Sequence, residues 1–297
     1  MKSGSAVAPA ACLALAVSGL LVCACGSGGG SGGAATGTKY GAVIVVDTGL
    51  GTGTTPYFAS AGFSDSASPQ AGEFTSIELG IGAPDGCTKS TVGGCQVYRC
   101  IKTIQATPSQ FVEPNVGTIT ITWPPVSGPG GGGGQPPPVT LGASNCYSLF
   151  WQTGSPVASL GFSAAGGTIP AFPETDVDVP QQFEVTQLNG NPLGPPPPPL
   201  VPRAAGLRVT WTGGTADAVF LLQQAQVGSL NNVTAVCRTA ASAGSFTFSS
   251  GVLGEFQPGD ASFDASAVSS KLVAAGDYAT TLAIVAPLPW HFPFTIQ

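Results

Sequence analysis

The sequence predicts an all-β fold, built as an antiparallel β-sandwich, and three observations carry the prediction. Several short runs alternate apolar and polar residues with a period of two, as half-buried strands do. No long stretch shows the three-to-four-residue spacing of an amphipathic helix. The 297-residue chain holds 43 Gly and 27 Pro, about twice ordinary usage. Charged residues make up only 8%, against about 25% in a typical soluble domain. Surface helices show Glu and Lys to water, so few charges and many turn formers favour short strands joined by turns.

The first element is a leader. Lys2 supplies a positive start, and an apolar run from Ala6 to Val22 follows, the order found in a secretion signal. The run ends in "VCAC", which places small Ala24 immediately before Cys25. This resembles a bacterial lipobox, where a signal peptidase cuts before a cysteine that already carries diacylglycerol. Cys23 suits that role less, because bulky Val22 precedes it, and Cys23 itself stands where Ala, Ser or Thr is commoner. An uncleaved membrane anchor is the plainer reading of the same apolar residues, but Pro9 and the many small residues weaken it; ordinary secretion is a third. Residues 26–39 are a Gly/Ser/Ala tether that packs nothing and reaches about 20 Å on average. Gly26 after the cysteine, by resemblance to the known sorting rule, implies the outer membrane, on either its periplasmic or its surface side.

The strands follow. "AVIVV" (42–46) is unbroken and suits a strand covered on both faces. "SIELGIG" alternates Ile77, Leu79 and Ile81, and "TITITW" puts Ile119, Ile121 and Trp123 opposite Thr118, Thr120 and Thr122. "LRVTWT" does the same with Leu207, Val209 and Trp211, and "GSFTFS" with Phe246 and Phe248. The last run, "PWHFPFTIQ", sets Trp290, Phe292, Phe294 and Ile296 on one face for burial, with Pro293 marking an edge. Its runs are too short and irregular for a barrel in lipid. The best helical candidate is "AVSSKLVAAG", one or two turns near Ala267 ending at Gly276.

Two low-complexity stretches, 127–138 and 189–203, divide the body. Each is flanked by strand-like runs, so each reads as a linker or as a long hairpin loop. The expected organisation is a lipoprotein signal peptide at 1–24 and a Gly/Ser-rich tether at 25–39. An N-terminal β-rich domain at 40–188 carries a loop insertion at 127–138. A Pro-rich linker or loop at 189–203 leads to a C-terminal sandwich-like domain at 204–297. Two packed β-rich units of the immunoglobulin-like (Ig-like) kind are the predicted architecture.

Loss of residues 1–24 and lipidation of Cys25 leave five candidates for disulfides: Cys87, Cys95, Cys100, Cys146 and Cys237. An exported compartment permits bridges, and an odd count leaves one thiol without a partner in the chain. "CTKSTVGGCQVYRC" lacks C-x-x-C and a nearby His, so it is no zinc motif. In an extended strand Cys95 and Cys100 point to opposite faces and do not bridge each other. Cys87 is expected to bridge one of them across the Gly93–Gly94 turn. Cys237 shares a face with Val233 and Ala235, which implies a buried thiol or bridge.

Catalytic signals are thin. "VIVVDTGLGTG" resembles the active-site loop of aspartic proteases, with Asp47 as the carboxylate. That family needs a second carboxylate to share a proton; the chain has no second Asp-Thr/Ser-Gly, and Leu50 stands where Ser or Thr is usual. The plainer reading is a strand ending in an Asp-Gly turn. "GLGTG" is not a dinucleotide fingerprint, because "TTPYF" rather than a helix follows it. The single histidine, His291, lies in the aromatic last strand, and outside the Gly/Ser tether no Gly-x-Ser-x-Gly elbow supplies a nucleophile. "ETDVDVP" (174–180) groups Glu174, Asp176 and Asp178 on an expected loop, too sparse for an EF-hand. No metal site and no cofactor are therefore assigned. The formal charge of −6 with nine scattered Lys and Arg excludes a nucleic-acid groove.

Taken together, "VCACGSGGGSGG", "CTKSTVGGCQVYRC", "FSAAGGTIPAFP", "LRVTWTGGTAD" and "VTAVCRTAASAGSFTF" resemble the Gly/Pro-rich predicted lipoproteins of myxobacteria. The resemblance implies an envelope location and a β-rich body, and it brings no activity or site residues. The expected function is a lipid-anchored, non-enzymatic envelope module. Its expected partners are the membrane and a protein or glycan ligand, the latter bound through exposed aromatics such as Trp151 or Trp290. The alternative is an aspartic protease-like hydrolase using Asp47.

Overall fold

The computed structural model describes residues 39–47, 55–64, 70–71, 83–84, 87–101, 116–123, 147–153, 157–193, 198–225, 231–289 and 291–297. Cys25 and Cys146, the leader, the tether up to residue 38, the insertion 127–138 and the "SIELGIG" run lie outside them, as does Trp290. In chain order the strands are β1 (Lys39–Asp47), β2 (Thr55–Ser64), β3 (Gln70–Ala71), β4 (Ala83–Pro84), β5 (Cys87–Val92) and β6 (Cys95–Ile101). Next come β7 (Ile119–Thr122), β8 (Tyr147–Thr153), β9 (Ser159–Ala164), β10 (Phe172–Asp178), β11 (Phe183–Leu188), β12 (Asn191–Pro192) and β13 (Leu200–Val201). The remainder are β14 (Leu207–Gly213), β15 (Asp217–Ala225), β16 (Asn231–Ala240), β17 (Ser245–Phe248), β18 (Gly259–Ala275), β19 (Tyr278–Pro287) and β20 (Phe292–Ile296). One α-helical turn, α1 (Ser250–Leu253), is capped by Ser249, whose hydroxyl accepts from the Val252 N–H at 3.3 Å.

The all-β prediction holds, and the strands form packed sheets. The large 11-stranded sheet runs β5-β6-β16-β15-β18-β19-β1-β2-β8, with β20 beside the start of β18 and β13 beside β20. The two other main layers are β10-β9-β7 and β12-β11-β14-β17. Strand alternation puts both on the same face of the large sheet. One core packs Phe220, Phe263, Phe292 and Phe294 of the large sheet against Phe183, Trp211 and Phe248 of the four-stranded layer. A second packs Val43, Val45, Tyr57 and Ile284 against Ile119, Leu160, Phe162 and Val177 of the three-stranded layer. On the opposite face, Ile44, Val46, Tyr98, Val219, Leu221, Val268 and Val285 make a third buried cluster.

Several local readings are visible in this arrangement. β1 is buried on both faces, Val43 and Val45 on one and Ile44 and Val46 on the other, as an unbroken apolar run requires. Leu207, Val209 and Trp211 are buried while Arg208 is exposed. In β20, Phe292, Phe294 and Ile296 are buried and Pro293 faces water. The Trp211 indole is satisfied internally: its Nε1–H donates to the Ala241 carbonyl at 2.7 Å.

Four expectations are corrected. The helical candidate near Ala267 is part of β18, a single strand of 17 residues. Its small and β-branched side chains fit a sheet, where β19 pairs with Ser266–Ala275 and β15 with Ser262–Val268. "ETDVDVP" is mostly strand β10 rather than loop. The strands are not all antiparallel, because β1 joins β19 in parallel. The two β-rich units are not divided at 189–203 either. β11 on one side of that stretch pairs with β14 on the other, so it is a connection within one sheet, the loop reading. The large sheet interleaves both halves of the chain: β5 and β6 join β16, and β1 joins β19.

One glycine in β1 is required by close approach. Gly41 lies opposite Phe63 in β2 and Thr280 in β19. A Cβ there would sit 2.5 Å from the Phe63 ring and 2.9 Å from Thr280 Oγ1. Phe63 is itself buried and meets Tyr278 edge-on, with centroids 6.3 Å apart. The ring thus covers the missing side chain.

Candidate functional site

The region richest in specific chemistry is the edge of the large sheet formed by β5, β6 and β16. The β5–β6 turn is Gly93–Gly94, with φ of 54° and 81°, the left-handed pair that a tight two-residue hairpin needs. The turn packs against α1, where Gly93 abuts Ser249 and Val252. From there the register runs without interruption from Val92 opposite Cys95 to Cys87 opposite Cys100. β6 continues the sheet antiparallel to β16, from Gln96 opposite Val236 to Ile101 opposite Asn231.

Cys95 and Cys237 form a disulfide, with Cα atoms 4.3 Å apart and a separation of 142 in sequence. Both are fully buried, in the first core beside Val97, Val233 and Ala235. This excludes Cys95 as the partner of Cys87, and it makes Cys237 a bridge rather than a buried thiol. Cys87 and Cys100 are described by their backbones alone.

On the opposite face of the same hairpin, Tyr98 is fully buried and donates its hydroxyl to Gln96 Oε1 at 2.7 Å. Lys89, its cross-strand partner, holds Nζ 5.7 Å from the ring centroid, a cation–π pair. Burial pushes the Tyr98 phenol up to about 12 and draws the Lys89 ammonium below its ordinary value, since each charged form loses water. Arg99 ion-pairs with Glu255 beyond α1, and donates to Ser90 Oγ at 3.1 Å. Nothing in the local sequence announced the Arg99–Glu255 contact, which joins residues distant in the chain.

Asp47 is half-buried at the end of β1, in register with Tyr57 of β2; the rest of its Asp-Thr-Gly lies outside the described residues. His291 and Asp264 form an exposed pair, Nδ1 to Oδ1 2.8 Å, with side chains 62% and 42% accessible. Glu174, Asp176 and Asp178 are all exposed on β10. The Thr122 hydroxyl donates to Glu174 Oε1 at 2.5 Å. Gly161 makes room for this convergence, since a Cβ there would lie 2.6 Å from Glu174 Oε1 and 3.1 Å from Asp176 Oδ1. Among the described residues, no three or more His, Cys, Asp and Glu gather closely enough to hold a metal ion.

The expected exposure of Trp151 is overturned. It is 6% exposed in the second core, stacked on Tyr57 with centroids 5.4 Å apart. β8 places it opposite Tyr57, so alternation turns the indole inward and leaves Phe150 outward, 58% exposed. The indole N–H groups of Trp123 and Trp151 are buried with no hydrogen-bond acceptor among the described residues. No family model matches this chain, and no curated protein matches it either.

Proposed function

We propose that the chain is a lipid-anchored protein of the outer membrane, held through Cys25, whose β-rich body serves as a non-enzymatic binding or interaction module in the envelope. The observation that carries this reading is the buried Cys95–Cys237 disulfide in a chain whose leader ends in "VCAC". Disulfides persist in oxidising compartments and are rare in the reducing cytosol, so the bridge and the leader favour the same side of the inner membrane. The candidate catalytic residues favour binding over catalysis. Asp47 stands in a chain without a second Asp-Thr-Gly, and His291 forms a surface pair with Asp264.

The test is fractionation of bacteria expressing the full chain, followed by intact-mass measurement. The wild type is expected in the outer-membrane fraction, beginning at Cys25 and carrying acyl chains, and Cys25→Ser is expected to leave that fraction. A soluble cytosolic product that retains Met1 would overturn the reading. Casein cleavage at acid pH that disappears in Asp47→Asn would replace it with the hydrolase.

A further inference from the structure

We infer that the β5–β6 hairpin carries a second cross-strand disulfide, Cys87–Cys100, on the face of β6 opposite the Cys95–Cys237 bridge. It goes beyond the anchored-module reading and does not depend on it. The argument begins at the turn. In a two-residue hairpin with both φ values positive, the pair that closes the turn exchanges backbone hydrogen bonds, and here that pair is Val92 and Cys95. Bonded and non-bonded pairs then alternate along the ladder. Through the uninterrupted register, Thr91–Gln96, Lys89–Tyr98 and Cys87–Cys100 are the non-bonded pairs. Such pairs have Cα atoms about 4.5 Å apart, inside the range that disulfides span.

Two features of the structure check this phase. A residue bonded to one neighbouring strand is non-bonded to the other, so Cys95, bonded toward β5, must be non-bonded toward β16. Its Cα lies 4.3 Å from that of Cys237, the short separation of a non-bonded pair. At the next non-bonded pair of the hairpin, Lys89 lies over the Tyr98 ring, as directly opposed residues on one face do. The five-residue step from Cys95 to Cys100 moves the second cysteine to the other face and exchanges its bonded and non-bonded sides. Cys95 therefore reaches β16, and Cys100 is placed to reach β5.

Each bridge forms by thiol–disulfide exchange. The two thiols lose two protons and two electrons as the S–S bond forms, and the electrons reduce the disulfide of a thiol oxidoreductase, or of oxidised glutathione, to two thiols. The consequence is mechanical. Among the described residues β5 is the outermost strand of the large sheet at this end, and an outermost strand offers one row of backbone groups for pairing. A bridge on each side of β6 joins β5, β6 and β16 covalently, so the edge hairpin cannot peel away.

Trypsin separates every cysteine involved. It cuts after Lys39, Lys89, Arg99, Lys102, Arg203, Arg208 and Arg238, placing Cys87 in 40–89, Cys95 in 90–99, Cys100 in 100–102, Cys146 in 103–203 and Cys237 in 209–238. The purified full chain is equilibrated with oxidised glutathione, its free thiols are alkylated, and the non-reduced digest is read by mass spectrometry. Expected are 40–89 linked to 100–102, and 90–99 linked to 209–238. In Cys100→Ser, Cys87 should become alkylated or glutathionylated while the Cys95–Cys237 link persists. Cys87 and Cys100 alkylated or glutathionylated in the oxidised wild type, or either one linked to 103–203, would overturn the inference.

Discussion

Replacing Cys95 and Cys237 together by alanine should remove a large part of this protein's stability. The bridge joins residues 142 apart in sequence. The loop-entropy relation assigns about 5 kcal/mol to a cross-link of that span, because the unfolded chain loses the freedom of everything between its ends. Both cysteines are fully buried in the first core, so the missing sulfurs also cost packing, by about 1 kcal/mol. For a body of this size each kcal/mol moves the melting temperature by about 2–4 °C, which puts the expected fall above about 10 °C. Circular dichroism melts of the oxidised wild type and the double variant measure it. With reductant the two should converge, since a cut cross-link leaves them differing by two buried sulfur atoms. A double variant that melts within about 3 °C of the oxidised wild type would refute the reasoning. It would mean that the bridge is absent or that the unfolded chain is already constrained.

Other perturbations test other parts of the fold. Gly41→Ala should destabilise by about 1–3 kcal/mol in urea unfolding, because the new methyl meets the buried Phe63 ring; Phe63→Leu in the same chain should recover part of the loss, and a neutral Gly41→Ala would contradict the packing. Tyr98 titrates near 12 in the folded protein, against about 10 in the unfolded chain. Its contribution to stability is therefore intact below about pH 10 and is lost as pH rises toward 12. Unfolding followed from pH 9 to 12 should show a fall that Tyr98→Phe lacks, and identical profiles would refute the burial. Trp211→Phe should cost about 1–3 kcal/mol, since the Ala241 carbonyl loses its donor inside the core; a variant as stable as wild type would deny that bond.

Period-two alternation is a local property, and in the runs that the described residues include the structure shows the matching face. Ile119 and Ile121 point inward together, as do Leu207, Val209 and Trp211, because in a strand each residue's neighbours decide which way it faces. The same parity made it legible that Cys95 and Cys100 lie on opposite sides of one strand. Wherever the answer lay in a distant segment, the sequence was silent. Cys95 finds Cys237 only because β6 lies beside β16, and no spacing along the chain encodes that neighbour. The residues near Ala267 have the small side chains of a helix as well as of a strand, and pairing decides between the two, with β19 along the run to Ala275 and β15 as far as Val268. Trp151 looked available to a ligand until β2 and β8 were paired, which turned it onto Tyr57. The amino-acid order by itself determined the fold class and the strand faces, since these depend on residues within a few positions of one another. Sheet order, the Cys95–Cys237 bridge and the inward turn of Trp151 were decided by tertiary structure, because burial and pairing depend on which distant strand completes each ladder.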